Sequence, residues 1–192
     1  MYVRLLAASA ALSLFVIPSQ PRAAQAEVSN GNEIRAGVPS FGDERAPHTI
    51  TVWNDFSCSF CRVLYQDLVT LESKHHGQVR VAFKSYPLPS HDFAMPLARA
   101  ARAAARFGKH WEMAPLLFTA GSPADVLRAA VASGISESAF RAAWESPSVA
   151  AEVDADVREG QAQSLRATPT FFFDGERIEG SRGIVQLERL LK

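Results

Sequence analysis

The chain has 192 residues, 47% hydrophobic and 21% charged, with 20 Lys and Arg against 20 Asp and Glu. That composition suits one globular domain with a core, or a domain plus an insertion, and excludes a disordered chain. A formal net charge of zero removes the global electrostatic case for nucleic acid or an anionic membrane.

The chain opens on MYVR, follows with an uncharged apolar run from Leu5 to Ile17, and reaches Ala24-Gln25-Ala26 after two prolines. A basic start, a short apolar run and an A-x-A end read as a cleavable secretory signal over residues 1–26. The run is well short of the roughly 20 residues that span a bilayer, so an uncleaved anchor is the weaker reading. Cleavage is expected after Ala26, with Ala24 second. Loss of Arg4 and Arg22 leaves 18 bases against 20 acids from Glu27 to Lys192, a net charge of about −2.

Residues 27–47 are polar and rich in Gly and Pro, an irregular lead-in to a domain over 48–192. HTITVWND (48–55) is β-branched and aromatic, hence a strand. The next segment carries Val63, Leu64, Leu68 and Leu71 at helical spacing, with Ser57 as candidate N-cap and Gly77 as stop. VRVAFKSYP (79–87) alternates as a strand does, which completes a parallel βαβ unit. From about 90 to 146 the chain is Ala-rich and reads as four helices, with Ser136 or Ser138 capping the last. A longer helix over 147–167 has Pro147 in its first turn. TPTFFFDGERIEG reads as a hairpin through the turn signal Asp174-Gly175, and GIVQLERLLK closes as an amphipathic helix.

The two cysteines, Cys58 and Cys61, lie in NDFSCSFCRV. Such a pair is a structural staple, half a metal site or a reactive dithiol. A staple gains by closing a long loop, and this one closes almost nothing. Tetrahedral zinc wants four ligands, and no second C-x-x-C exists. A C-x-x-C beside a βαβ pattern is by itself a redox signal, and export from the reducing cytosol lets a disulfide persist.

Without the helical block the order is β-α-β-α-β-β-α, the thioredoxin order with an all-helical insertion after the second strand. ITVWNDFSCSFC at the domain's start, the helical insert and ATPTFFFDG near its end resemble the DsbA-like thioredoxin-fold family of exported bacterial thiol–disulfide oxidoreductases. The resemblance runs from about Phe41 to Leu191. It implies a cis proline facing the dithiol, and the matching residue is Pro169, preceded by Thr168. It also implies reduced, folding exported proteins as clients and a membrane or soluble redox partner that resets the disulfide. The location it implies is the periplasm. No nucleic acid, no metal and no organic cofactor enter this reading, and the chain is taken as a monomer.

The residues support the same chemistry physically. Only a thiolate attacks a disulfide, and an ordinary thiol near pKa 8.5 is mostly protonated at neutral pH. Just after the N-cap, Cys58 faces unpaired helix N–H groups and the positive end of the dipole, which favours its anion. Cys58 is therefore the expected nucleophile, and Cys61, one turn further in, the resolving thiol. Pro169 has no N–H, so the backbone of Thr168 is left to pair with an extended client. Ser59 and Phe60 are expected substrate contacts, and Ser59 also a hydrogen-bond donor to a thiolate.

Some positions depart from the family. The inner dipeptide is Ser-Phe, the residue before Thr-Pro is Ala167, and Val52 stands where relatives often bury an acid six residues before the first cysteine. Asp55 and Lys84 are substitute candidates for proton transfer to Cys61. His75-His76 reads as a solvated helix end, and His48, His91 and His110 as isolated structural residues. Arg99, Arg102, Arg106 and Lys109 read as a solvated helix face, or else as partners of Glu152, Asp154 and Asp156. Trp111, Met113, Leu116 and Leu117 read as insert core, with an apolar groove for unfolded chains as the alternative. The net direction is expected to be oxidation of client cysteines. A reductase or isomerase of the same fold is the first alternative, and a non-catalytic peptide or metal-ion binding protein the second.

Overall fold

The computed structural model describes residues 34–178 and 183–192. The expected signal over 1–26 and the first part of the lead-in lie outside them. Among the described residues the order is β1 (Ser40–Gly42), β2 (His48–Asn54), α1 (Ser59–Lys74), β3 (Val79–Ser85), α2 (Ala94–Arg106), α3 (His110–Leu117), α4 (Pro123–Ala132), α5 (Glu137–Trp144), α6 (Pro147–Ala162), β4 (Thr170–Phe173), β5 (Glu176–Ile178) and α7 (Gly183–Leu190). This is the expected α/β thioredoxin-like fold, with α2 to α5 as the insertion.

The sheet order is β1-β3-β2-β4-β5. β2 and β3 pair in parallel from His48 opposite Val79 to Asn54 opposite Ser85, and β2 pairs antiparallel with β4. The lead-in is not wholly irregular, because β1 pairs antiparallel with β3 and covers that edge. Three residues reading Ser-Phe-Gly carry no strand pattern of their own; the β3 edge imposes one. β4 turns into β5 through Asp174 and Gly175, with φ of 48° and 85°, the left-handed pair that a two-residue hairpin needs. His48 Nδ1 and the Thr49 N–H hold the Asp174 carboxylate at 2.7 and 2.8 Å.

Period-two alternation divides the strands between two cores. Ile50, Val52, Val81, Phe83 and Phe171 join α1, α7 and most of the insert in the larger one, while Trp53, Tyr86, Leu165 and Phe172 form a smaller one toward α6. Leu116, expected in the insert core, is 40% exposed, whereas Met113 and Leu117 are fully buried. Helix starts follow the capping rules at Ser122, Ser136 and Ser146, each accepting a backbone N–H. α6 stops at Ala162, earlier than the expected 167.

The solvated-face reading of the α2 cations is overturned in part. Arg102 is 2% exposed and pairs with the fully buried Asp156, to which Arg35 also reaches. Arg102 also donates to the Gly37 carbonyl, and Asp156 accepts the Ser85 N–H at 2.9 Å. Lys84 pairs with Glu159 on the same face, and Arg106 pairs with Glu152 outside it. These charges join the N-terminal segment, α2, β3 and α6.

Two outcomes test this packing. A Cβ on Gly160 would lie 2.7 Å from the Tyr86 ring, and the ring is pinned by a 2.8 Å hydrogen bond from its hydroxyl to the Leu165 carbonyl. Gly160→Ala, which at an open helix site would stabilise by about 1 kcal/mol, is expected here to destabilise by about 1–3 kcal/mol in urea unfolding. A gain in stability would show that the contact relaxes. Arg102→Met leaves Asp156 under-compensated in the interior and is expected to cost about 3–5 kcal/mol by the same measurement. A change below about 1 kcal/mol would contradict a buried, mutually dependent pair.

Candidate active site

β2 ends at Asn54, and the chain turns through 55–58 into α1. The Asp55 carbonyl accepts the Cys58 N–H at 3.0 Å, and the Asp55 carboxylate accepts the Ser57 N–H at 2.8 Å. These bonds consume the turn, so Ser57 is not the helix cap. Cys58 itself is the N-cap, with φ −90° and ψ 120°, and its carbonyl accepts the Arg62 N–H at 3.2 Å.

Both sulfurs are free thiols, on residues only 8% and 1% exposed for Cys58 and Cys61. The Cys58 S–H donates to the Thr168 carbonyl at 3.4 Å. As a thiol it makes no capping bond to the helix; as a thiolate it becomes an acceptor. The Cys61 S–H then contributes most to its stabilisation, burial opposes, and the Cys61 N–H, the Thr168 side chain and the Phe60 N–H add to it; together they lower the Cys58 pKa to about 5. The Phe60 and Cys61 N–H groups are those that a capping oxygen would occupy. Cys61 is pushed strongly upward, first by its hydrogen bond to Cys58 and then by burial. Two thiols three residues apart are thus made chemically unequal.

The opposite wall is the loop before β4. The Thr168–Pro169 peptide bond is cis, and the Thr170 hydroxyl braces the loop by donating to the Ala167 carbonyl at 2.8 Å. Thr168 and Pro169 are half-buried, and the Thr168 hydroxyl oxygen is buried with no hydrogen-bond partner in the dithiol form. Ser59 is exposed at the first helical position, and the Phe60 ring is 75% exposed. Beside this ridge of α1 lies a cleft of about 250 Å³ lined by Arg62, Tyr65, Gln66, Pro115, Phe118 and Thr119. Arg62 follows Cys58 by one helical turn, which sets the cleft next to the nucleophile's side of α1.

The two proton-transfer candidates are committed elsewhere. The Asp55 carboxylate, fully buried, serves Ser57, the Leu88 N–H at 2.9 Å and His91 Nδ1 at 2.7 Å. Lys84 serves Glu159 and lies 5.0 Å over the Trp53 ring. His91 is therefore not isolated, and neither is His48, which sits on Asp174. Nothing in the sequence marks the Asp55–His91 pair, because its members are 36 positions apart. His110 is buried, donates from Nδ1 to the Ala101 carbonyl at 3.1 Å, and is lowered to about 4 by burial, so it stays neutral. Among the described residues no group of three or more His, Cys, Asp or Glu could hold a metal ion.

Several solved structures share this architecture. A thioredoxin-like oxidoreductase from Silicibacter pomeroyi aligns with TM-score 0.72 and 23% identity, covering 81% of this chain and 90% of its own. BdbD from Bacillus subtilis aligns at 0.69 and 19% identity over 81% and 92%. The thiol–disulfide exchange protein alpha-DsbA2 from Wolbachia pipientis aligns at 0.73 and 16% identity over 81% and 86%. At these identities the likeness is one of fold. Among curated proteins, a Na(+)/H(+) antiporter NhaA 1 of Mycolicibacterium gilvum is 32% identical over 157 residues, 79% of this chain and 25% of that protein. An NhaA 3 of Salinispora tropica is 33% identical over 150 residues, 76% of this chain and 23% of that protein. The chain thus spans about a quarter of the length of the curated relatives it matches, and among the described residues no helix is long and apolar enough to cross a membrane. The thioredoxin family model matches residues 36–192. That span takes in the dithiol turn, the helical insert and the Thr168–Pro169 loop together, and by it this chain belongs to the thioredoxin family.

Proposed function

We propose that this chain is an exported protein thiol–disulfide oxidoreductase that oxidises cysteines of folding proteins through a mixed disulfide on Cys58. The observation that carries the reading is the inequality of the two sulfurs, Cys58 lowered to about 5 and Cys61 raised. A client thiolate attacks the Cys58 sulfur of the Cys58–Cys61 disulfide, and Cys61 leaves and takes up a proton. A second client thiolate then attacks the client sulfur of the mixed disulfide and expels Cys58, whose low pKa makes it a good leaving group. At neutral pH the sum converts two client thiols and one disulfide into a client disulfide, a Cys58 thiolate, a Cys61 thiol and one free proton. The exchange needs no metal or organic cofactor. A membrane or soluble partner accepts the electron pair and restores the disulfide.

The same inequality supports the direction. A thiolate stabilised in the dithiol form favours reduction of this disulfide, which makes it an oxidant. Relative to an ordinary thiol near 9.0, a pKa of about 5 favours the dithiol at pH 7 by up to about 100-fold, or about 60 mV. The fold of BdbD and alpha-DsbA2 supports the reading, and periplasmic location accords with the signal expected over residues 1–26. The antiport named in the curated relatives belongs to proteins about four times the length of the match and is not carried to this chain.

Catalysed oxidation of a reduced, unfolded client is the direct test. Cys58→Ser is expected to lower the rate at least about 1,000-fold, and a variant as fast as the parent would remove the enzyme reading in favour of a binding protein. The pH dependence of the midpoint potential is the second. Above the Cys58 pKa of about 5, reduction takes up two electrons and one proton, and below it two of each. The potential should fall by about 60 mV per pH unit below that point and by about 30 mV above it. An unbroken steep slope through neutrality would mean that Cys58 is an ordinary thiol. A midpoint near the roughly −270 mV of thioredoxin would favour the reductase reading.

A further inference from the structure

One segment reaches both walls of the dithiol site. It is the connection from β3 into α2, residues 86–93. At its start the Tyr86 N–H donates to the Asn54 carbonyl at 2.8 Å, and the Tyr86 hydroxyl donates to the Leu165 carbonyl at 2.8 Å, three residues before Thr168. At its end the Leu88 N–H and His91 Nδ1 meet the Asp55 Oδ2 atom at 2.9 and 2.7 Å. The segment is itself closed by the His91 N–H donating to the Leu88 carbonyl at 3.0 Å, so the two groups that meet Asp55 move together.

The Asp55 carboxylate has no exposed surface. An ionised carboxylate only accepts, so the proton in the 2.7 Å contact sits on His91 Nδ1. With two donors on Oδ2, Asp55 does one thing with its other atoms. Its Oδ1 and its carbonyl hold the Ser57 and Cys58 N–H groups, which is the turn that presents the Cys58 sulfur to the Thr168 carbonyl. The main chain of Asp55 also supports a charge on Cys61. A buried carboxylate that lost a donor would have to move toward water, and the turn would loosen.

We propose that His91 is a positioning residue of the dithiol site, holding Asp55 so that the 55–58 turn keeps the Cys58 sulfur in register with the helix N–H groups and with Thr168. The proposal rests on the dithiol-exchange reading above and says through which residue the helical insert sets the dithiol's reactivity. His91 touches neither sulfur; its ring is 31% exposed at the rim, so it acts through Asp55 alone.

Two variants test it. His91→Phe keeps a ring and removes the donor; His91→Asn puts an uncharged donor where Nδ1 stood. The ultraviolet absorbance of the Cys58 thiolate is followed against pH in the reduced protein. His91→Phe is expected to raise its midpoint by about one pH unit and to slow exchange about two- to threefold, with the far-ultraviolet dichroism unchanged. His91→Asn is expected to stay close to the parent. A His91→Phe protein that folds and keeps the parent's midpoint and rate would overturn the proposal and leave His91 a packing residue. Should the Phe variant not fold, the parent decides: the ring nitrogen resonances of His91 are expected to shift between dithiol and disulfide forms, and identical spectra would overturn the coupling. The thiolate midpoint needs no client. A midpoint that moves with His91 in a protein inactive on every client would keep the positioning role and discard the exchange reading. Exchange that survives in full alongside an unmoved midpoint would do the reverse.

Discussion

The Cys61 thiol, as a donor to the Cys58 thiolate, is the largest influence lowering the Cys58 pKa. That influence has the donor at the third helical position of α1 and the acceptor at its cap, neighbours at the i, i+3 spacing of C-x-x-C. That is why the 55–58 turn matters. If Ser57 capped α1, Cys58 would advance into the first turn and its sulfur would leave the Phe60 and Cys61 N–H groups. The Asp55 carboxylate prevents this by taking the Ser57 N–H for itself.

Behind the site, the sheet has one largely apolar face and one that carries charge. Val52 joins the larger apolar core with Ile50 and Phe83, so the position where relatives bury an acid lies here among hydrocarbon. Ionisable groups collect instead toward α6, where Arg102, Asp156, Lys84 and Glu159 satisfy one another. Such a cluster contributes little net stability compared with apolar packing of similar volume, but removing any member leaves an uncompensated charge. The insert is therefore joined to the thioredoxin core through Arg102 and Asp156, each of which is costly to remove alone.

Much of this was legible in the chain. Strand alternation at 79–85, helical spacing after Cys58, Pro147 at a helix start and Asp174-Gly175 at a hairpin each follow from local chemistry, and the structure has all four. The C-x-x-C and Thr-Pro motifs brought the two walls of the site into view without coordinates. What local pattern could not supply were contacts whose partners are far apart in sequence. β1 exists only because the β3 edge offers a ladder. The cap moved by one residue because Asp55 competes for it. Arg102 looked solvated because helical spacing alone cannot distinguish a face turned to water from one turned to Asp156, 54 positions on. The Asp55–His91 contact has the same origin.

Phe60 lies between the two cysteines in the chain with three quarters of its surface in water, and Val63, one turn along, is 57% exposed. Apolar side chains in such a place hold ordered water that any docked chain must displace. Their burial carries a negative heat-capacity change, independent of which residues the visitor brings. A chain docking at this rim would be recognised through dehydration more than through matched hydrogen bonds. Such docking would weaken on cooling, as hydrophobic association does, while the sulfur chemistry beneath it would keep its own dependence on protons.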